Sequence, residues 1–138
     1  MKTISIFVVS LVTNLMFSQQ TITVNMTGIP TEKGVVMIGL YSEDTFMKAK
    51  PEYSATSKIE DQKATCVFKD IPAGEYAVAV FHDENENQQM DFNSNGMPNE
   101  AYGSSNNKFN PFGPPQWNDS KFKVENKSVS IDIKMNSI

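Results

Sequence analysis

Three observations predict an all-β fold, a two-sheet sandwich of about seven short strands with one long Asn/Asp-rich loop. Apolar and polar residues alternate over short segments, no stretch keeps a helical period, and Gly, Pro and Asn close most segments. The chain has 138 residues, the size of one domain. Hydrophobic residues make up 39%, enough for a single core.

Met1–Ser18 reads as a secretory signal peptide. Lys2 supplies the positive start, Ile4–Phe17 the apolar stretch and Ser18 the small residue before the cut. The stretch is short for a membrane span, and no Cys near the cut offers a lipid anchor. The expected division is therefore 1–18 signal peptide and 19–138 β-sandwich domain. The product would be exported to the periplasm, the cell surface or the medium, with no membrane span after cleavage.

In the mature part, Ile22, Val24 and Met26 alternate with Thr21, Thr23 and Asn25, and Gly28-Ile29-Pro30 ends that strand. Val35–Tyr41 is a β-branched strand after Gly34. Residues 44–60 are ambiguous, with a helical turn around Thr45–Lys50. Ala64–Phe68 is a strand that holds the one Cys, Cys66, as a small buried hydrophobe. Asp70–Gly74 is a turn. Tyr76–His82 is the strongest strand; both its faces are apolar, which predicts a central strand covered on both sides. Lys121–Glu125 and Ser128–Met135 are expected to pair as a hairpin through Asn126-Lys127.

Residues 83–117 interrupt this rhythm. They hold eight Asn and the acids Asp83, Glu84, Glu86, Asp91 and Glu100. A segment this long inside a small domain points to a function or a bound ligand. Within it, Asp83, Asn85, Asn87 and Asp91 occupy positions 1, 3, 5 and 9. A hard cation takes six to eight oxygen ligands, and alternate side chains of a tight loop can supply them. Gln89 at position 7 would add its backbone carbonyl. Glu100 would return as a bidentate ligand, because Asn95-Gly96 and Met97-Pro98 can reverse the chain. The site expected is thus a structural calcium ion on Asp83, Asn85, Asn87, Gln89, Asp91 and Glu100. Gln88 stands where an EF-hand has Gly, and Ser94 where it has Glu. A solvated Asn-rich turn is the alternative.

Tyr102, Phe109, Phe112 and Trp117 are expected to anchor the rest of the loop. The alternative is an accessory ligand-binding surface at 101–117, for a sugar, a peptide or an envelope partner. Composition narrows the other classes. There is no Arg and the net charge is −4, which excludes nucleic acid as the expected partner. One His and one Cys exclude the common multi-His and four-Cys metal sites. His82 and Asp83 near Ser104 or Ser105 lack any nucleophile signature, so a non-enzyme is expected.

The run from Phe68 to Asn106 resembles the exported bacterial family DUF2141, and the likeness covers residues 68–122. The shared features are His82-Asp83, Asn85 and Asn87, Asp91, Gly96-Met97-Pro98-Asn99-Glu100 and Tyr102-Gly103, followed by Gly113-Pro114-Pro115 and Asp119. The resemblance implies an immunoglobulin-like or prealbumin-like sandwich, akin to collagen-binding B domains. It brings no established activity and names no protein or glycan partner. The loop is also similar to calcium loops of bacterial surface adhesins.

Overall fold

The computed structural model describes residues 19–136. The signal-peptide segment 1–18 lies outside the described residues. Eight strands form two sheets. The smaller sheet has the order β4-β1-β8, with β1 Gln20–Thr27, β4 Ala64–Ile71 and β8 Val129–Lys134. The larger has the order β3-β2-β5-β6, with β2 Val35–Tyr41, β3 Tyr53–Ser57, β5 Gly74–Asp83 and β6 Tyr102–Ser104. The last strand, β7 Phe122–Val124, also pairs with β5.

The alternation read from sequence is what buries the inner faces. Ile22, Val24 and Met26 of β1 are fully buried, and Cys66 and Ile131 lie opposite Val24 on the two neighbouring strands. Each such aliphatic contributes about 1.5–3 kcal/mol by leaving water. From the other sheet, Val36, Ile38, Leu40, Val78 and Val80 meet them across the interface. The inner face of β5 continues to His82, which is 2% exposed. Its outer face is buried at Ala77 and half-buried at Ala79 and Phe81. The strand is central, with β2 along one edge and β6 and β7 sharing the other.

Two strands come from stretches without a clean alternation. β3 emerges from the ambiguous 44–60 segment, after a run of turns that covers Thr45–Lys48. β6 is three residues long and divides the long loop. There Gly103 lets the sheets close: a Cβ at this position would press on the Ile133 side chain.

The hairpin expected between Lys121–Glu125 and Ser128–Met135 does not form. β7 runs antiparallel to β5 and β8 runs parallel to β1, so the two strands belong to different sheets. The physical reason is that two strand edges in different sheets need partners. β1 takes β8, which buries Ile131 and Ile133 beside Val24 and Met26, while a β7–β8 hairpin would leave the Gly74–Tyr76 edge of β5, which β7 covers, unpaired. The end of β8 then bridges back, with Asn136 and Tyr102 exchanging backbone hydrogen bonds.

Candidate metal centre

β5 ends at Asp83, and Val35 of β2 is its register partner. Gly34, at φ +70°, lies directly against the backbone of Asp83 and Glu84, where a Cβ would overlap the Asp83 carbonyl oxygen. The start of the loop therefore rests on rigid backbone. The Asp83 side chain is fully buried. Its Oδ1 accepts the N–H of Asn87 at 3.2 Å and its Oδ2 that of Gln88 at 2.8 Å. Asn85 Oδ1 also accepts from Asn87 N–H, and Asn87 Oδ1 from Gln89 N–H at 3.0 Å. These are the local side-chain turns that Asp and Asn favour. Gln88, at the position where a sharp loop wants Gly, adopts the left-handed conformation at φ +64°. The loop keeps its turn and bears the strain of a Cβ there.

The chain then makes a hairpin over 91–99. Asn99 N–H donates to the Asp91 carbonyl at 2.7 Å, and Asn93 N–H to that of Met97 at 2.8 Å. Gly96 turns at φ +78°, and Asn93 Oδ1 accepts from the N–H groups of Asn95 and Met97. This reversal returns Glu100 to Asp91, whose N–H donates to Glu100 Oε2 at 3.2 Å. The carboxylate of Asp91 in turn accepts from Asn85 Nδ2 at 2.7 Å and Asn87 Nδ2 at 2.8 Å. One network thus joins Asp83, Asn85, Asn87, Asp91 and Glu100. Gln89 enters it through its N–H, and its side chain is exposed.

The electrostatics of this network are one-sided. Glu100 is 8% exposed, and burial raises its pKa. The N–H of Asp91 opposes that rise, while the negative charges of Asp91 and Asp83 add to it. Among the described residues the ion pairs are Lys108–Asp119 and Lys121–Glu75, and neither touches this cluster. Lys33, Glu84, Asn99 and Glu100 line one open depression together with Asn85 and Asp91.

These donors suit a hard cation in kind, because carboxylates and amide oxygens are what calcium takes. Two facts bear on the fit. Among the described residues no group of three His, Cys, Asp or Glu side chains stands ready to hold a metal by itself, so neutral amides and carbonyls must complete any shell. The amide nitrogens of Asn85 and Asn87, rather than their oxygens, face Asp91, so both amides must turn over to ligate.

Elsewhere the structure sorts the other sequence candidates. Ser105 is buried, accepts the N–H of Val78 and donates to the Ser120 carbonyl, so its hydroxyl is committed to backbone. His82 is committed too, with Nε2 2.6 Å from the Lys33 carbonyl oxygen. Cys66 is a buried free thiol, and desolvation raises its pKa. Of the four loop aromatics, Trp117 packs on Phe46 at 6.0 Å between ring centres, and Phe46 on Tyr41 at 5.7 Å. Tyr102 is half-buried in β6. Phe109 and Phe112 do not anchor anything: they are 59% and 97% exposed. The seat formed by Lys33, Gly34 and His82 escaped sequence reasoning; its one visible signal was a Gly immediately before a strand.

The family model DUF2141, described as an uncharacterized protein conserved in bacteria, matches residues 24–132. No curated protein matches the chain. Solved structures of a pilus-presented adhesin, Spy0125 (Cpa), are similar to it. A cysteine-to-alanine mutant aligns at 12% identity, over 90% of this chain and 28% of that one, with a TM-score of 0.32. A second crystal form aligns at 12% identity, over 88% and 27%, with a TM-score of 0.32. The chain spans less than a third of the length of those structures.

Proposed function

The chain belongs to the DUF2141 family of bacterial proteins, and we propose that it is an exported, non-enzymatic β-sandwich module that binds a structural calcium ion in the 83–100 loop. The observation that carries this reading is one hydrogen-bond network through Asp83, Asp91 and Glu100 in which, among the described residues, no ion pair reaches any of the three. Asp83 is fully buried and Glu100 nearly so. Buried carboxylates destabilise a fold unless a cation or hydrogen bonds compensate. Backbone N–H groups compensate part of this, and a divalent ion would neutralise the rest. Asp83, Asp91 and Glu100 would supply the charged oxygens, Asn85 and Asn87 the neutral ones, and Gln89 a carbonyl. The ion's work would be to hold the loop, with no step of chemistry.

The test is the melting temperature in chelator, calcium and magnesium. With two neutral amides in the shell, a Kd of about 10⁻⁴ M is expected. Calcium at 10 mM then stabilises by about 2.7 kcal/mol and raises the melting temperature by about 10 °C. Magnesium does less, because it demands octahedral geometry and keeps its waters. Asp91→Asn removes most of the calcium increment. A wild-type protein indifferent to 10 mM calcium sinks the reading.

Export rests on the Lys2 start and the Ile4–Phe17 apolar run. Among the described residues no helix is long and apolar enough to cross a membrane. Intact mass of protein from a bacterial host should place the mature N-terminus at Gln19 or Gln20; a species starting at Met1 in the exported fraction overturns it.

A second reading, an accessory binder of a sugar or peptide, is favoured by the exposure of Phe112 and Phe109. An Asx turn, Phe112 N–H to Asn110 Oδ1 at 3.1 Å, holds Phe112 outward. Glycan-array binding that is lost in Phe112→Ala and indifferent to calcium would select this reading.

A further inference from the structure

We infer that His82 is the positioning residue of this ion loop, acting through its ring hydrogen bond to the Lys33 carbonyl. The inference rests on the calcium reading above. His82 is the only histidine and is 2% exposed at the end of the central strand. Three pieces of chain meet at it. Its own next residue is Asp83, the first ligand of the loop. Its N–H donates to the Ala101 carbonyl at 2.8 Å, beside Glu100, the last ligand. Its Nε2 lies 2.6 Å from the carbonyl oxygen of Lys33.

That acceptor settles the tautomer: Nε2 carries the proton and donates. Lys33 leads into Gly34, which lies against the backbone of Asp83 and Glu84. Two residues before Lys33, Thr31 Oγ1 donates to Glu84 Oε1 at 3.3 Å. The ring therefore holds the 31–34 turn against the start of the loop from below. Without the donor, the Lys33 carbonyl loses its partner and turns toward water. Gly34 then no longer sets the position of Asp83, and the spacing between Asp83 and Glu100 is free to change. An apolar side chain of similar size would fill the same space in the core but could not keep that carbonyl in place.

The experiment compares calcium affinity, by calorimetric titration, across wild type, His82→Met and His82→Gln, with chelator melting curves as the control for folding. Gln places an amide N–H at the same reach as Nε2, so it restores the hydrogen bond without the ring. Loss of an outer-shell partner weakens metal binding by about tenfold or more. We expect that loss in His82→Met and an affinity within about threefold of wild type in His82→Gln. Should His82→Met fail to fold, His82→Asn takes its place, since its amide is one methylene too short to reach Lys33. Wild-type affinity in His82→Met, or His82→Gln as weak as His82→Met, overturns the inference while leaving the calcium site standing. No calcium binding by the wild type overturns both.

Discussion

The two halves of the long irregular stretch share a richness in Asn and differ in construction. Both 83–100 and 105–117 are rich in Asn. In the first half the amides serve carboxylates: Asn85 and Asn87 donate to Asp91, and the turn closes on Asp83. In the second half they serve backbone. Asn107 accepts from Lys134 N–H and donates to the Asp132 carbonyl, imitating a neighbouring strand along the free edge of β8. Asn106 donates to the carbonyls of Asp119 and Lys121, and Asn110 to that of Pro114. The second half holds no acid, and its one charge is Lys108. The first accumulates negative charge around buried oxygens. Only the first carries the charge on which the calcium proposal rests.

Three variants break or sharpen this contrast. The largest effect is expected from Asn107→Ala, which strips two hydrogen bonds from the β8 edge and leaves Ala at a left-handed φ of +54°. We expect a loss of about 2 kcal/mol, measured by urea denaturation and identical in chelator and in calcium. If calcium restores the loss, the two halves are coupled and the division fails.

Glu100→Gln should act with opposite signs in the two conditions. In calcium it would remove one of the proposed charged ligands, and a tenfold weaker Kd lowers the calcium increment by about 1.4 kcal/mol. In chelator it stabilises at neutral pH, because the charged form no longer has to be buried near Asp91 and Asp83. The sign with pH follows from the raised pKa. Wild type keeps full stability from this group below the ordinary carboxylate value and loses it as pH rises through the raised folded-state value. The advantage of the Gln variant in chelator should therefore shrink as pH falls. An advantage that grows on acidification would mean that Glu100 is held ionised by an unseen partner.

The smallest effect is expected from Gln88→Gly. The left-handed turn at φ +64° costs a residue with a Cβ about 1–2 kcal/mol, of which the greater unfolded-state entropy of Gly offsets part. A net gain of about 0.5 kcal/mol in chelator is expected. Destabilisation instead would show that the Gln88 side chain has work of its own in the loop.

Local rules carried much of this molecule. Alternation placed the inner face of β1, and the sequence bounds of β2 at Val35–Tyr41 match its observed span. The Asn95-Gly96 reversal and the return of Glu100 to Asp91 were legible as turn chemistry, because φ preferences and Asx hydrogen bonds act within a few residues. Partner choice was not legible. β7 and β8 are adjacent in sequence and separate in space, since β7 goes to an edge of β5 and β8 to an edge of β1 more than a hundred residues away. β6 is too short to show a period and exists because β5 offers it an edge and Gly103 lets it approach Ile133. The same is true of the site. Its residue types and spacing stood in the sequence, but the burial of Asp83 and Glu100 did not, nor did the seat formed by Gly34, Lys33 and His82. Those depend on how two sheets close over one end of β5, and no local signal encodes the distance between strands that are joined only by the finished fold.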